Sequence, residues 1–168
     1  HSQFQTAATQ RYFKNLNHYR FTHSSIADYL MGIWAGVGKP FTFTEVQRQR
    51  FGLAEKEGLA DRKVPLQPAV FAAKEGEAAR GNVRKLNQLP YHLLRAGRVE
   101  ELYKHCLFNL DFLWAKLGFC PLAAVLADLE EAAAEESQPQ VSRELGLLAD
   151  ALRLSGSVLR KDPDSLLP

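Results

Sequence analysis

Gln88-Leu89-Pro90-Tyr91-His92-Leu93-Leu94-Arg95-Ala96-Gly97-Arg98-Val99-Glu100-Glu101-Leu102 reads as a helix, a glycine stop and a second helix. Leu86, Leu89, Leu93 and Leu94 fall on one face at helical spacing, and Asn82 is a good cap for the start. Pro90 must either kink this helix or begin a new one. Gly97 can take the left-handed conformation that closes it. Val99, Leu102, Tyr103, Cys106, Leu107 and Leu110 supply the inner face of the partner, with Glu100 and Glu101 near its positive end. The segment predicts an antiparallel helical hairpin, and the rest of the chain is read outward from it.

Downstream, Asp111 is a candidate cap for a helix in which Phe112, Leu113 and Leu117 pack and Gly118 ends the run. Pro121 to about Glu135 places Leu122, Val125, Leu126 and Leu129 inside, and Glu130, Glu131, Glu135 and Glu136 on a solvated acidic face. Ser137-Gln138-Pro139 breaks the chain before a helix from Val141 to about Leu159, with Leu145, Leu148, Leu152 and Val158 inward. Asp162-Pro163-Asp164 signals one more start.

Upstream, Ser2 to Phe13 carries Phe4, Ala7, Ala8 and Tyr12 on one stripe, interrupted at Asn15 and Asn17. A helix from about Thr22 to Ala35 follows, with Ile26, Leu30, Ile33 and Trp34 inward and Gly36 at its end. Residues 36–81 are punctuated by glycine and proline and lose periodicity, apart from a short helix near Phe43–Phe51. The expectation is an all-α fold of stacked, solenoid-like helical hairpins with an irregular 42–81 connection. Its parts are 1–36, 37–81 and 82–168.

The apolar share of 46% allows a core to form. No run approaches the roughly 18 apolar residues that cross a bilayer. The chain starts at His1 without a targeting signal and reads as an excised fragment. Its net charge of +2 hides an asymmetry. Residues 1–98 hold 15 Lys and Arg against 7 Asp and Glu; residues 99–168 hold 6 against 12. The cations are scattered, without an interleaved aromatic series, so they read as solvated faces rather than a nucleic-acid surface.

No phosphate-cradling loop or nucleophile elbow is present. Gly36-Val37-Gly38-Lys39-Pro40 is too short for the former and lacks the hydroxyl that would hold magnesium. Cys106 and Cys120 read as buried free thiols in a reducing compartment. His105 and Cys106 are adjacent and point to different faces, and His18 and His23 read as separated by turn residues, so no metal set is expected. His92, beside the apolar stripe, reads as a hydrogen-bonded packing residue. Trp34 and Trp114 read as core or interface anchors.

Several motifs in order resemble one family. His1-Ser2-Gln3-Phe4-Gln5-Thr6-Ala7-Ala8, closing on Tyr12-Phe13, resembles the end of the winged-helix domain in NACHT-type, Apaf-like (STAND) signalling ATPases. His23-Ser24-Ser25-Ile26-Ala27-Asp28-Tyr29-Leu30, followed by Trp34 and Lys39-Pro40-Phe41, resembles the next segment of NACHT and WD-repeat proteins. The 89–102 hairpin and Asn109-Leu110-Asp111-Phe112-Leu113-Trp114-Ala115-Lys116-Leu117 resemble the helical region beyond. Leu152-Arg153-Leu154-Ser155 and Asp162-Pro163-Asp164-Ser165-Leu166-Leu167 resemble the run into their WD-repeat propeller.

The resemblance implies a non-catalytic regulatory arm in a cytoplasmic parent able to homo-oligomerise. Its partners would be the NACHT domain and propeller of the same protein, and other proteins, with neither nucleic acid nor membrane. No cofactor is expected in this chain; ADP or ATP is expected in the parent. His1 matches the family histidine that touches the phosphate of bound ADP. The alternative expectation is a free-standing helical-repeat scaffold for a protein partner.

Overall fold

A computed structural model describes residues 15–73 and 77–159, with side chains described to residue 156. The first helix, α1, is Leu16–Met31. Asn15 caps it, its Oδ1 accepting from the Asn17 N–H at 2.8 Å, so Asn15 starts a helix and Asn17 lies within it. Gly32, at φ 83°, closes α1 by donating its N–H to the Asp28 and Tyr29 carbonyls. The predicted helix over 22–35 therefore lies several residues too late. Of its expected inward face, Leu30 is buried, whereas Ile33 is 62% exposed.

Within the described part of 37–81, short strands and one helix form between irregular stretches. Strands β1 (Gly38–Thr42) and β2 (Glu57–Lys63) pair antiparallel around α2 (Glu45–Phe51), with an irregularity between Gly38 and Pro40. Helix α2 begins on a capping box between Thr44 and Gln47. Strands β3 (Val70–Phe71) and β4 (Arg80–Gly81) form a second small antiparallel pair. The fold is predominantly helical with two small sheets, so the all-α expectation is corrected. Short strands divided by glycine and proline leave no alternating stripe long enough to read from sequence.

Helix α3 (Val83–Ala96) starts at Asn82, whose Oδ1 accepts from the Lys85 N–H. Asn82 also donates its backbone N–H to the Ala69 carbonyl and its amide to Gln67, which in turn donates to the Tyr29 hydroxyl. One cap thus ties the inserted strands to both α1 and α3. Pro90 lies inside α3, buried, and does not begin a new helix.

Helix α4 (Val99–Leu102) runs into a π-helical turn, Tyr103–Leu107, closed by the Phe108 N–H donating to the Tyr103 carbonyl. The predicted partner helix is therefore shorter than expected, and Leu110 is 59% exposed. Asn109, not Asp111, caps α5 (Leu110–Phe119), and Gly118 sits within it. Helices α6 (Leu122–Glu135) and α7 (Pro139–Leu159) form the last hairpin. Helix α3 packs along α1 and also meets α4, α5 and α6. Leu86, Leu89, Leu93, Leu102, Leu107, Leu129 and Leu145 are all essentially inaccessible and form one core.

Candidate functional site at the hairpin corner

Backbone geometry positions the corner between α3 and α4. Gly97, at φ 75°, donates its N–H to the Leu94 carbonyl, and the Arg98 N–H donates to the Leu93 carbonyl. This paired closure fixes the direction in which Arg98 leaves the helix.

Arg98 then reaches across to α1. One terminal nitrogen donates to Asp28 Oδ1 at 2.6 Å, to Ser24 Oγ at 3.0 Å and to the Ser24 carbonyl at 3.3 Å. The Nε and the other terminal nitrogen both donate to Glu101 at 2.6 Å, a forked carboxylate pairing. Hydrogen bonds donated to Glu101 and Asp28 raise the Arg98 pKa, and Arg98 holds the Glu101 carboxyl below its ordinary value. Ser24 and Asp28 belong to the 23–30 motif, so this motif and the corner meet at one guanidinium.

His23 and His92 form a second bond between α1 and α3. Their Nδ1 atoms lie 2.8 Å apart with both rings buried. One Nδ1 must carry the hydrogen and the other accept it, so the accepting ring has to be neutral and protonation of both rings breaks the bond. Burial lowers both pKa values, that of His92 to about 4, with His23 and Arg84 adding to the His92 shift and Arg95 to that of His23. The hydrogen-bonded packing role expected for His92 is what the structure shows. His18 and His23 share α1, so the turn expected between them is absent.

The acidic face of α6 is engaged as well as partly exposed. Arg95 donates to Glu135 at 2.5 Å and to Glu131; Arg153 of α7 pairs with Glu130; and the Tyr103 hydroxyl donates to Glu136. Beneath it, Lys116 is 1% exposed and pairs with Asp128. Burial raises the Asp128 carboxyl to about 6 against the pull of Lys116. Cys106 and Cys120 are buried free thiols, and burial pushes the Cys106 thiol up to about 12, far from a reactive thiolate.

A groove of about 650 Å³ opens beside the corner, between the first turns of α1, Val99 and Tyr103, and the α6–α7 junction. Among the described residues no group of three or more potential ligands could hold a metal ion. No described helix is long and apolar enough to cross a membrane. Lys85, expected on a solvated face, is half-buried and donates to the Gln67 carbonyl at 2.6 Å. His1 lies outside the described residues, so its expected phosphate contact is not part of this geometry. Sequence reading missed Arg98 altogether, since a charged residue after a glycine stop has no periodicity to mark it.

No family model matches the chain, and no solved structure matches it. Curated proteins do. Human NACHT and WD repeat domain-containing protein 2 is 28% identical over 177 aligned residues, covering 96% of this chain and 10% of that protein. Mouse NACHT domain- and WD repeat-containing protein 1 is 31% identical over 135 residues, covering 80% of this chain and 8% of that protein. Its human counterpart is 30% identical over 155 residues, with 92% and 9% covered. The chain therefore spans a tenth or less of the length of the relatives it matches. This similarity, over most of the chain and in agreement with the ordered motifs, places it in the family of NACHT and WD repeat domain-containing proteins, as the counterpart of one segment of those longer proteins.

Proposed function

We propose that this chain is a non-catalytic helical arm that couples a nucleotide-switched NACHT module to a WD-repeat sensor and offers surface to other proteins. The observation that carries the reading is the Arg98 bridge, which ties α1 to the α3–α4 corner. Displacement of α1 has to break or carry this bridge, so the corner can pass strain between the two ends of the arm. Stacked hairpins, a cytoplasmic setting and homo-oligomerisation of the parent belong to the same reading. Nucleotide would be held by the parent, with His1 donating an imidazole N–H to a phosphate oxygen of ADP.

The test compares ADP release from the longer parent with that from its Arg98→Ala and His1→Ala forms. Both substitutions are expected to speed release, His1→Ala by removing a contact and Arg98→Ala at a distance. Unchanged off-rates in both would reject the coupling role. Labelled ADP should not bind this chain alone; tight binding would also reject it. The groove beside the corner favours a second reading, a scaffold that holds a protein partner without any nucleotide switch.

A further inference from the structure

Another crevice, of about 530 Å³, runs between the last turns of α1 and the first half of α3. Ile26 and Leu30 line one side and Val83 the other, with Ile26 and Val83 exposed. Its polar groups lack partners. The Asn87 carboxamide lines the crevice, and its Oδ1 is buried with no hydrogen-bond partner among the described residues. Gln88 beside it, and Arg84 one turn earlier, make no hydrogen bond or ion pair among the described residues. No carboxylate lines the crevice to neutralise that guanidinium. An orphaned acceptor costs stability that an apolar side chain of the same shape would not. The fold thus keeps at Asn87 a polar group that an incoming N–H satisfies.

We propose that this crevice binds an extended segment of another protein in which apolar and acidic residues alternate. A carboxamide matches a peptide group, its oxygen accepting from the N–H and its nitrogen donating to the C=O. The χ2 torsion of asparagine is broad, so a low-cost rotation turns Oδ1 towards the crevice. An extended segment leaves its N–H and C=O groups free for this pairing, and every second side chain faces the same way. One set of side chains lies against Ile26, Leu30 and Val83, which selects apolar residues. The set between them reaches the rim, where the unpaired Arg84 selects carboxylates. The Tyr29 hydroxyl, which accepts from Gln67, keeps its own hydrogen to donate. This site rests on the protein-binding part of the proposed role and not on its nucleotide-linked part.

The test titrates the full 168-residue chain with a short fluorescein-labelled peptide of alternating leucine and glutamate. Lysine-for-glutamate and serine-for-leucine peptides are the controls. Only the leucine–glutamate peptide should saturate the chain, shifting the amide resonances of Ile26, Arg84 and Asn87. Arg84→Glu should weaken that binding about tenfold or more. Asn87→Leu separates binding from folding: it should weaken the peptide severalfold while raising the thermal midpoint, because the orphaned acceptor is gone. No saturation at low salt, equal binding of either control, or unchanged affinity in either variant would overturn the proposal. Shifts confined to Tyr103 and Val141 would put the peptide in the corner groove and overturn it as well. The same Ile26, Arg84 and Asn87 shifts on concentrating the chain alone would assign the crevice to a second copy, again overturning it. None of these results alters ADP release from the longer parent, so the two readings fail separately.

Discussion

Arg98 is the residue on which the corner depends. Its guanidinium satisfies two carboxylates and the Ser24 hydroxyl and carbonyl while only 21% exposed. Arg98→Ala leaves Asp28 and Glu101 without that partner and should cost about 1–3 kcal/mol, read as a lower urea midpoint with unchanged slope. Arg98→Lys should recover only part of this, because an ammonium cannot reproduce the fork. The histidine pair sets a pH response. Both rings titrate below their ordinary value in the folded chain, so the unfolded chain binds more protons between about 4 and 6.5. Stability from this pair is full above about pH 6.5 and is lost as pH falls towards the His92 value of about 4. Asp128 acts oppositely: its raised pKa of about 6 makes the fold gain protons on acidification. The His92→Gln difference profile isolates the pair. Between pH 7 and pH 5 the parent should lose on the order of 1–2 kcal/mol more than the variant; parallel profiles would contradict the neutral pair.

Elements join through a few positions that tolerate little change. Gly97 holds φ 75°, and Gly97→Ala should cost about 1–2 kcal/mol even though a methyl would meet nothing within 4 Å. Gly81 fails for a different reason: an added Cβ would lie 2.3 Å from the Phe119 ring, so β4 and α5 would have to separate. The α5–α6 contact rests on Lys116 and Asp128. Asp128→Asn strands a buried ammonium and should cost about 3–5 kcal/mol, whereas Lys116→Met with Asp128→Leu should be near neutral. Chemical denaturation of the single and double variants separates a specificity pair from a stabilising one. Much of this scale is legible in sequence. Asn82, Gly97 and the leucines of α3 announce themselves through capping chemistry and period. Asn109 and the π-helical turn do not, because the chain between Leu102 and Leu110 keeps an apolar spacing that also suits an ordinary helix.

At the scale of the whole molecule, the described chain divides into a leucine-rich helical core and a lightly anchored strand region. Helix α2 buries no residue, and Val46, Phe51 and Leu59 are each more than 60% exposed. The β1–α2–β2 region is tied to the 35–37 segment that follows α1 through the Gly36, Val37 and Val64 backbone bonds and the bridge from Ala35 to Val64. Amides of β1 and β2 should therefore exchange with solvent faster than those of α3 and α6 by several orders of magnitude. Mass-spectrometric hydrogen exchange reads this directly, and equal protection throughout would show that the region is part of the same cooperative unit.

The sequence alone determined the helical hairpin at 88–102, the caps at Asn82 and Gly97, the buried state of both thiols and the family resemblance that the curated relatives support. These features rest on local periodicity and on side chains acting on their own backbone. Only the tertiary structure decided that Arg98 meets Asp28, that His23 meets His92, and that the acidic face of α6 holds Arg95. Those pairs lie 70, 69 and 36 residues apart in sequence. Their geometry depends on how α1, α3 and α6 pack, and no local pattern encodes it.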